Sequence, residues 1–174
     1  MALKKHTLDE IDLFYSDDIL HEVSKSPGMF VEDFMSDLHE YNGKELELIG
    51  LYSKKQGLKR TAMIVAHGDS IGEEWRFFCG NKSFSTQEWI NQNDGRYALL
   101  ILGCCNPGHH EIESKKSAVL APNEVYSPIK HYCLNEVQIE VYIPGIGYVD
   151  SYTVDYEIKR VQRALKRKIR QQQK

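Results

Sequence analysis

The sequence predicts an α/β fold: a three-layer sandwich with a mostly parallel central sheet and helices on both faces. Two apolar runs carry this reading, residues 61–66 (TAMIVA) and 97–102 (YALLIL). Each has the length of a strand and lacks polar alternation, the pattern of a strand covered on both faces, as in parallel sheets. Between them, Ser85-Thr86-Gln87-Glu88 sets a hydroxyl three residues before a carboxylate. That is a capping box, and it opens a short helix through Trp89 and Ile90 that stops near Asp94-Gly95. Strand, helix and strand in this order form a βαβ unit with a right-handed crossover. Its two strands then end at one edge of the sheet, the edge where ligands bind in open parallel sheets.

The other elements follow in chain order. Residues 11–15 are short, apolar and strand-like, and residues 17–23 could make a helical turn before the break at Ser26-Pro27-Gly28. Phe30, Phe34, Leu38 and Tyr41 recur at helical spacing over 30–41, stopped by Asn42-Gly43. Residues 45–52 alternate loosely as a strand, and 54–59 form a basic loop. Trp75 to Phe78 reads as a short strand or hairpin arm. Residues 117–121 (SAVLA) make a third apolar strand, followed by Pro122. Residues 137–143 alternate, and Pro144-Gly145-Ile146-Gly147-Tyr148 reads as a hairpin turn into 148–154.

With 174 residues, 41% of them hydrophobic and 27% charged, the chain has the size and composition of a single domain spanning 1–174 with a real core. Its longest mostly apolar run, 97–105, falls far short of the roughly 20 residues that span a bilayer, so no membrane partner is expected. Residues 1–7 carry two lysines with no apolar stretch behind them, so no signal peptide is expected. Four cysteines, two of them adjacent, do not make a disulfide scaffold. Free thiols and a cytoplasmic, reducing setting are expected.

Charge is uneven. Residues 157–174 hold eight Lys/Arg against one acid, a net of +7, which leaves −10 on residues 1–156. Val154, Ile158, Val161, Leu165 and Ile169 line one face of a basic C-terminal helix over about 154–170. Such a helix can dock its apolar stripe on the domain and leave its cations in water, or meet nucleic acid or an acidic partner. No aromatic residue interleaves the cations after Tyr156, which speaks against a stacking platform for nucleic acid.

The chemistry is placed by the βαβ unit. His67 follows the first buried strand and Cys105 follows the next, so the shared edge can bring an imidazole to a thiol. A thiolate is the reactive form of cysteine, and a nearby imidazole helps generate it or protonates the leaving group. Gly68 has no Cβ and lets its backbone N–H approach a substrate carbonyl. The N–H groups of Gly68 and Cys105 are the expected oxyanion donors. Asp69 either orients His67 or caps the turn, and is grouped with Glu111 as a substrate-binding candidate. Glu111 and Glu113 are solvated loop carboxylates unless they attract a basic substrate side chain, a preference the acidic body also favours.

In these motifs the chain resembles the caspase-like cysteine peptidases, the clan of caspases, gingipains, clostripain, separase and CHAT domains. Ile64-Val65-Ala66-His67-Gly68 is similar to the clan's His-Gly after an apolar strand. Ile101-Leu102-Gly103-Cys104-Cys105-Asn106-Pro107-Gly108 is similar to the CHAT stretch apolar-apolar-Ser-Ala-Cys-Glu-Thr-Gly, with Asn106-Pro107 in place of Glu-Thr. Residues 84–90 are similar to the helix start that precedes the Cys strand. The likeness covers about residues 58–125. It implies a caspase-like fold and a thiol protease in which Cys105 is the nucleophile and His67 its partner. Cys104 then takes the small-residue position. The strand over 118–124 implies Asn123 and Glu124 near the pocket for the residue before the scissile bond. A protein or peptide is the expected substrate, and no cofactor and no metal are expected.

Other readings stand beside this one. Cys105 can be a core residue at a strand end, and His67 a structural loop histidine. The chain can be a catalytically inactive binding module that acts through protein or nucleic-acid contacts. Cys104, Cys105, His109 and His110, with His67, have the residue types of a zinc hydrolase but not a usual ligand spacing.

Overall fold

In a computed structural model of the chain, residues 3–8, 11–17, 57–58, 60–122, 139–145 and 147–150 are described, together with 167, 170 and 171. The two apolar runs become the middle of a seven-stranded sheet. β1 (Lys4–Leu8), β2 (Ile11–Tyr15), β3 (Thr61–Val65), β7 (Leu99–Gly103), β8 (Ala118–Pro122), β9 (Ile139–Ile143) and β10 (Gly147–Asp150) lie in that spatial order. Strands β2, β3, β7 and β8 run parallel. β1 adds antiparallel at one edge, and β9 and β10 add antiparallel at the other. The sheet is therefore mixed, with a parallel centre and antiparallel margins.

The lack of alternation in β3 and β7 has the expected cause. Ala62 and Ile64 on one face of β3 are sealed, and so is Met63 on the other. Leu100, Ile101 and Leu102 repeat the pattern in β7. A chain buried on both faces has no place for a solvated side chain. Trp89 and Ile90 pack into the same cluster as Ala62, Ile64, Leu100 and Leu102, from α1 (Thr86–Asn93). Ser85 caps that helix, its hydroxyl accepting the Glu88 N–H at 3.2 Å, as the capping box predicts.

Between β3 and α1 the chain makes a second, three-stranded antiparallel sheet, β4 (His67–Ile71), β5 (Glu74–Cys79) and β6 (Lys82–Ser85). Only β5 was expected. β4 reads HGDSI and β6 reads KSFS, both poor in the branched and aromatic residues that favour strands. β5 supplies the missing reason: it buries Trp75, Phe77 and Cys79 in alternation and offers both its edges to polar neighbours. Arg76 ties β5 to β6, with Nε on Ser83 Oγ at 3.0 Å and Nη2 on the Ser83 carbonyl at 2.9 Å. β1 is likewise a strand that pattern alone does not show.

The predicted hairpin of 137–143 and 148–154 forms with a shorter turn: within the described residues β9 spans Ile139–Ile143 and β10 already begins at Gly147, opposite Ile143. The expected helix over 30–41 and strand over 45–52 lie outside the described residues, as does the turn over 17–23 beyond Asp17. Of the basic C-terminal helix, Arg167, Arg170 and Gln171 are described; they are helical and exposed. Among the described residues no helix is long and apolar enough to cross a membrane.

A buried polar network closes the N-terminal rim of the parallel strands. Asp12 on β2 is 5% exposed and accepts hydrogen bonds from the Arg60 guanidinium and, at 2.8 Å, from the Tyr97 hydroxyl. Lys5 stands 3.6 Å away. Burial raises the Asp12 pKa, but the bonds from Arg60 and Tyr97 and the nearby cations outweigh it and hold the carboxyl below its ordinary value. Burial, and then the bond to Asp12, push Tyr97 up to about 12.

Both shifts make stability depend on pH. Asp12 has a depressed folded pKa, so its contribution is complete above the unfolded value near 3.8 and is lost as pH falls through the folded one. Tyr97 has a raised folded pKa, so its contribution is complete below 10.0 and is lost as pH rises toward about 12. Denaturant unfolding across pH should show Tyr97→Phe flattening the alkaline limb and Asp12→Asn flattening the acid limb. A Tyr97→Phe curve parallel to wild type above pH 10 would contradict this assignment.

Candidate functional site

The site is built where β3 and β7 leave the sheet side by side. Val65 lies opposite Gly103 in the parallel ladder, and Ala66 N–H donates to the Gly103 carbonyl at 3.3 Å. His67-Gly68 and Cys104-Cys105 therefore emerge at one rim, the C-terminal rim of the parallel strands. Their backbones touch. A Cβ at position 68 would stand 2.2 Å from the Cys105 carbonyl oxygen and 2.8 Å from its nitrogen, so only glycine fits. Trp75 Nε1–H donates to the same Cys105 carbonyl at 2.7 Å. The backbone of Cys105 is thus held by both Gly68 and a buried indole.

The two adjacent cysteines differ in setting. Cys104 is sealed in the core, and burial, with Cys105 second, pushes its thiol far above the ordinary value. It remains a protonated packing group, as its small-residue position implied. Cys105 is half-buried, while Cys79 is buried. Among the described cysteines, Cys105 is the most exposed, and the three carry no disulfide.

His67 stands in a different element from the one expected. The sequence places it in a loop after a strand; instead it opens β4, with Ala66 alone between β3 and β4. β4 is the edge strand of its sheet. Alternate N–H groups of an edge strand point away from its partner and stay available to a ligand. Asp69 is exposed in the middle of β4, and its Oδ1 accepts the Ser70 N–H at 2.7 Å. Glu111 and Glu113 are exposed on the loop after Cys105. Asn123 and Glu124 lie outside the described residues.

Several residues to which the sequence reading gave no such role hold this loop. Asn106 is 2% exposed; its Oδ1 accepts the His110 N–H and its Nδ2 donates to the His110 carbonyl, both at 3.0 Å. His110 Nε2 meets Ser70 Oγ at 2.6 Å. Further on, the Tyr148 hydroxyl on β10 donates to the Ile112 carbonyl at 2.7 Å and accepts the Ile112 N–H. The Gln87 amide pairs with Glu113 in the same way, donating to its carbonyl at 2.8 Å and accepting its N–H at 3.0 Å. Asp94, at the end of α1, accepts the N–H groups of Lys115, Lys116 and Ser117. Burial works against its charge, yet these three bonds hold the carboxyl below its ordinary value. Asn106-Pro107-Gly108 was a readable turn signal; the long-range partners Gln87 and Tyr148 left no local trace.

Among the described residues no three His, Cys, Asp or Glu side chains gather as metal ligands, so the zinc-hydrolase alternative gains no support. No family model matches the chain, and no curated protein or solved structure matches it either.

Two outcomes test this geometry. Gly68→Ala should destabilise the fold by about 3 kcal/mol, the upper range of overpacking costs, because backbone atoms of Cys105 cannot swing aside; a melting temperature equal to wild type would contradict it. In native protein, iodoacetamide followed by peptide mapping should modify Cys105 and spare Cys104 and Cys79. Equal modification of Cys104 would contradict its burial.

Proposed function

We propose that the chain is a cysteine peptidase-like hydrolase with a caspase-like arrangement, in which Cys105 and His67 form the catalytic dyad. The observation that supports this most is the backbone contact of Gly68 with Cys105, at the C-terminal rim of two hydrogen-bonded parallel strands. It joins the two motifs, 37 residues apart from Gly68 to Cys105 in the sequence, into one locus. The order of elements agrees with the resemblance: a His-Gly after a buried strand, a capped helix, then a cysteine after the neighbouring strand. Cys104 behaves as the buried small residue of that pattern, and Cys105 as the accessible thiol.

In this reading the Cys105 thiolate adds to a peptide carbonyl carbon, and the carbonyl π electrons move onto oxygen. The N–H groups of Gly68 and Cys105 face that oxyanion. Collapse breaks the C–N bond, and His67 delivers a proton to the departing amine. Water, losing a proton to His67, then adds to the thioester, and the Cys105 thiolate leaves with the acid product formed. Trp75 serves the first step by holding the Cys105 carbonyl, which keeps its peptide plane fixed as the sulfur moves. The acidic balance of the body favours substrates with a basic residue near the cleaved bond.

A second reading, a non-catalytic module that works through binding, draws on the exposed helical Arg167 and Arg170 in the basic tail. One experiment separates the two. Purified protein is incubated with a pool of unstructured peptides, and cleavage is read by mass spectrometry. Wild type should cleave, while Cys105→Ala and His67→Ala should lose at least about 100-fold of the rate, in line with removal of a nucleophile or acid–base group, with their melting temperatures unchanged. Cleavage that persists in Cys105→Ala refutes the dyad.

A further inference from the structure

The Ser70–His110 contact lies outside the proposed dyad and has no part in the core. Strand alternation and register explain where it sits. Ser70 pairs with Trp75 and Gly68 with Phe77, so these four residues share one face of the β4–β5 hairpin. Three of them grip the loop that follows β7. Gly68 packs on the Cys105 backbone, Trp75 holds the Cys105 carbonyl, and Ser70 holds His110. The loop is therefore fastened to the His67 strand at two points, one at Cys105 and one five residues later.

The second fastening is built with some care. Asn106, buried, reproduces a backbone ladder with its side-chain amide and fixes both polar backbone groups of His110. His109 adopts φ +52°, in the left-handed region, to complete that turn, and its N–H donates to the Asn106 carbonyl at 3.2 Å. Gly108 lies against the pair: a Cβ there would come within 2.5 Å of His110 Nε2 and 2.8 Å of Ser70 Oγ. A left-handed residue, a glycine packed against both side chains and a buried amide all converge on one hydrogen bond of 2.6 Å.

We propose that Ser70 and His110 are positioning residues of the hydrolase: their hydrogen bond clamps the Cys105 loop to β4 and so sets the Cys105 N–H beside that of Gly68. This inference rests on the peptidase reading. The pair also has the donor–acceptor form of an activated serine, but Ser70 lies on the face of the hairpin that carries the Cys105 loop, in line with Gly68 and Trp75. Positioning is the role the packing favours.

The test compares two reagents on Cys105. Iodoacetamide needs only an exposed thiolate. Peptidyl chloromethyl ketones ending in Lys, Leu or Asp carry a carbonyl whose oxygen must be bound for fast alkylation, so their advantage over iodoacetamide reads the alignment of the oxyanion donors. Wild type should prefer a ketone. Ser70→Ala should cut the ketone rate about tenfold, with the iodoacetamide rate held within about twofold, and Ser70→Thr should restore it; loss of one positioning hydrogen bond is worth about that factor. A wild-type ketone preference that survives Ser70→Ala overturns this inference and leaves the dyad standing. No ketone preference in wild type overturns the dyad, and this inference with it. An equal fall in both rates shows a merely structural role and overturns it, as does labelling of Ser70 by a fluorophosphonate.

Discussion

The contact between Gly68 and the backbone of Cys105 is the constraint on which the site depends. Two strands of a parallel ladder must end at the same height, or their exits do not meet. The exit from β3 must carry no Cβ, because the Cys105 carbonyl occupies that volume. The same carbonyl must also be fixed by a hydrogen bond, which the Trp75 indole supplies. The first condition is met by the central sheet, and the other two by neighbouring strands of the second sheet, β4 through Gly68 and β5 through Trp75. A change in any one of them moves the thiol relative to β4.

The second sheet links these elements. Its face of Gly68, Ser70, Trp75 and Phe77 is a platform on which the loop after β7 is laid. The far part of that loop is fastened by side chains that imitate backbone, Tyr148 to Ile112 and Gln87 to Glu113, and then by the Asp94 carboxylate at three consecutive N–H groups. A loop needs partners for its polar backbone groups when it runs against protein rather than water. Here side chains from α1 and β10 provide them. The opposite rim of the sheet is closed by different means, with Asp12, Arg60 and Tyr97 joined in one low-exposure network. One rim is thus held by ionised and phenolic groups, and the other is left for a thiol and imidazoles.

Much of the central architecture was legible. The runs 61–66 and 97–102 announce strands covered on both faces, and Ile64, Leu100, Ile101 and Leu102 are sealed because no polar position interrupts them. The helix start at Ser85 was readable because capping is a local bond. The strands β1, β4 and β6 were not readable. HGDSI and KSFS have little tendency toward strand, and their partner β5 holds them extended. At the site, His67, Gly68 and Cys105 could be singled out from motif and order. The positioning contacts of Ser70, Trp75, Asn106 and His110 could not, and His110 drew notice only as a residue type of a zinc site, since each matters through a neighbour from another part of the chain or through a turn whose geometry is set by that neighbour.

By itself the sequence determined the parallel centre, the capped helix and the rim at which a histidine and a cysteine emerge. All of these follow from runs, spacings and caps a few residues long, where local propensity and hydrophobic burial agree. Only the tertiary structure decided that His67 begins a strand, that Cys105 is clamped by Gly68 and Trp75, and that Ser70 meets His110. Those depend on register between strands and on contacts 30 to 40 positions apart, and such contacts form only once the whole sheet is in place.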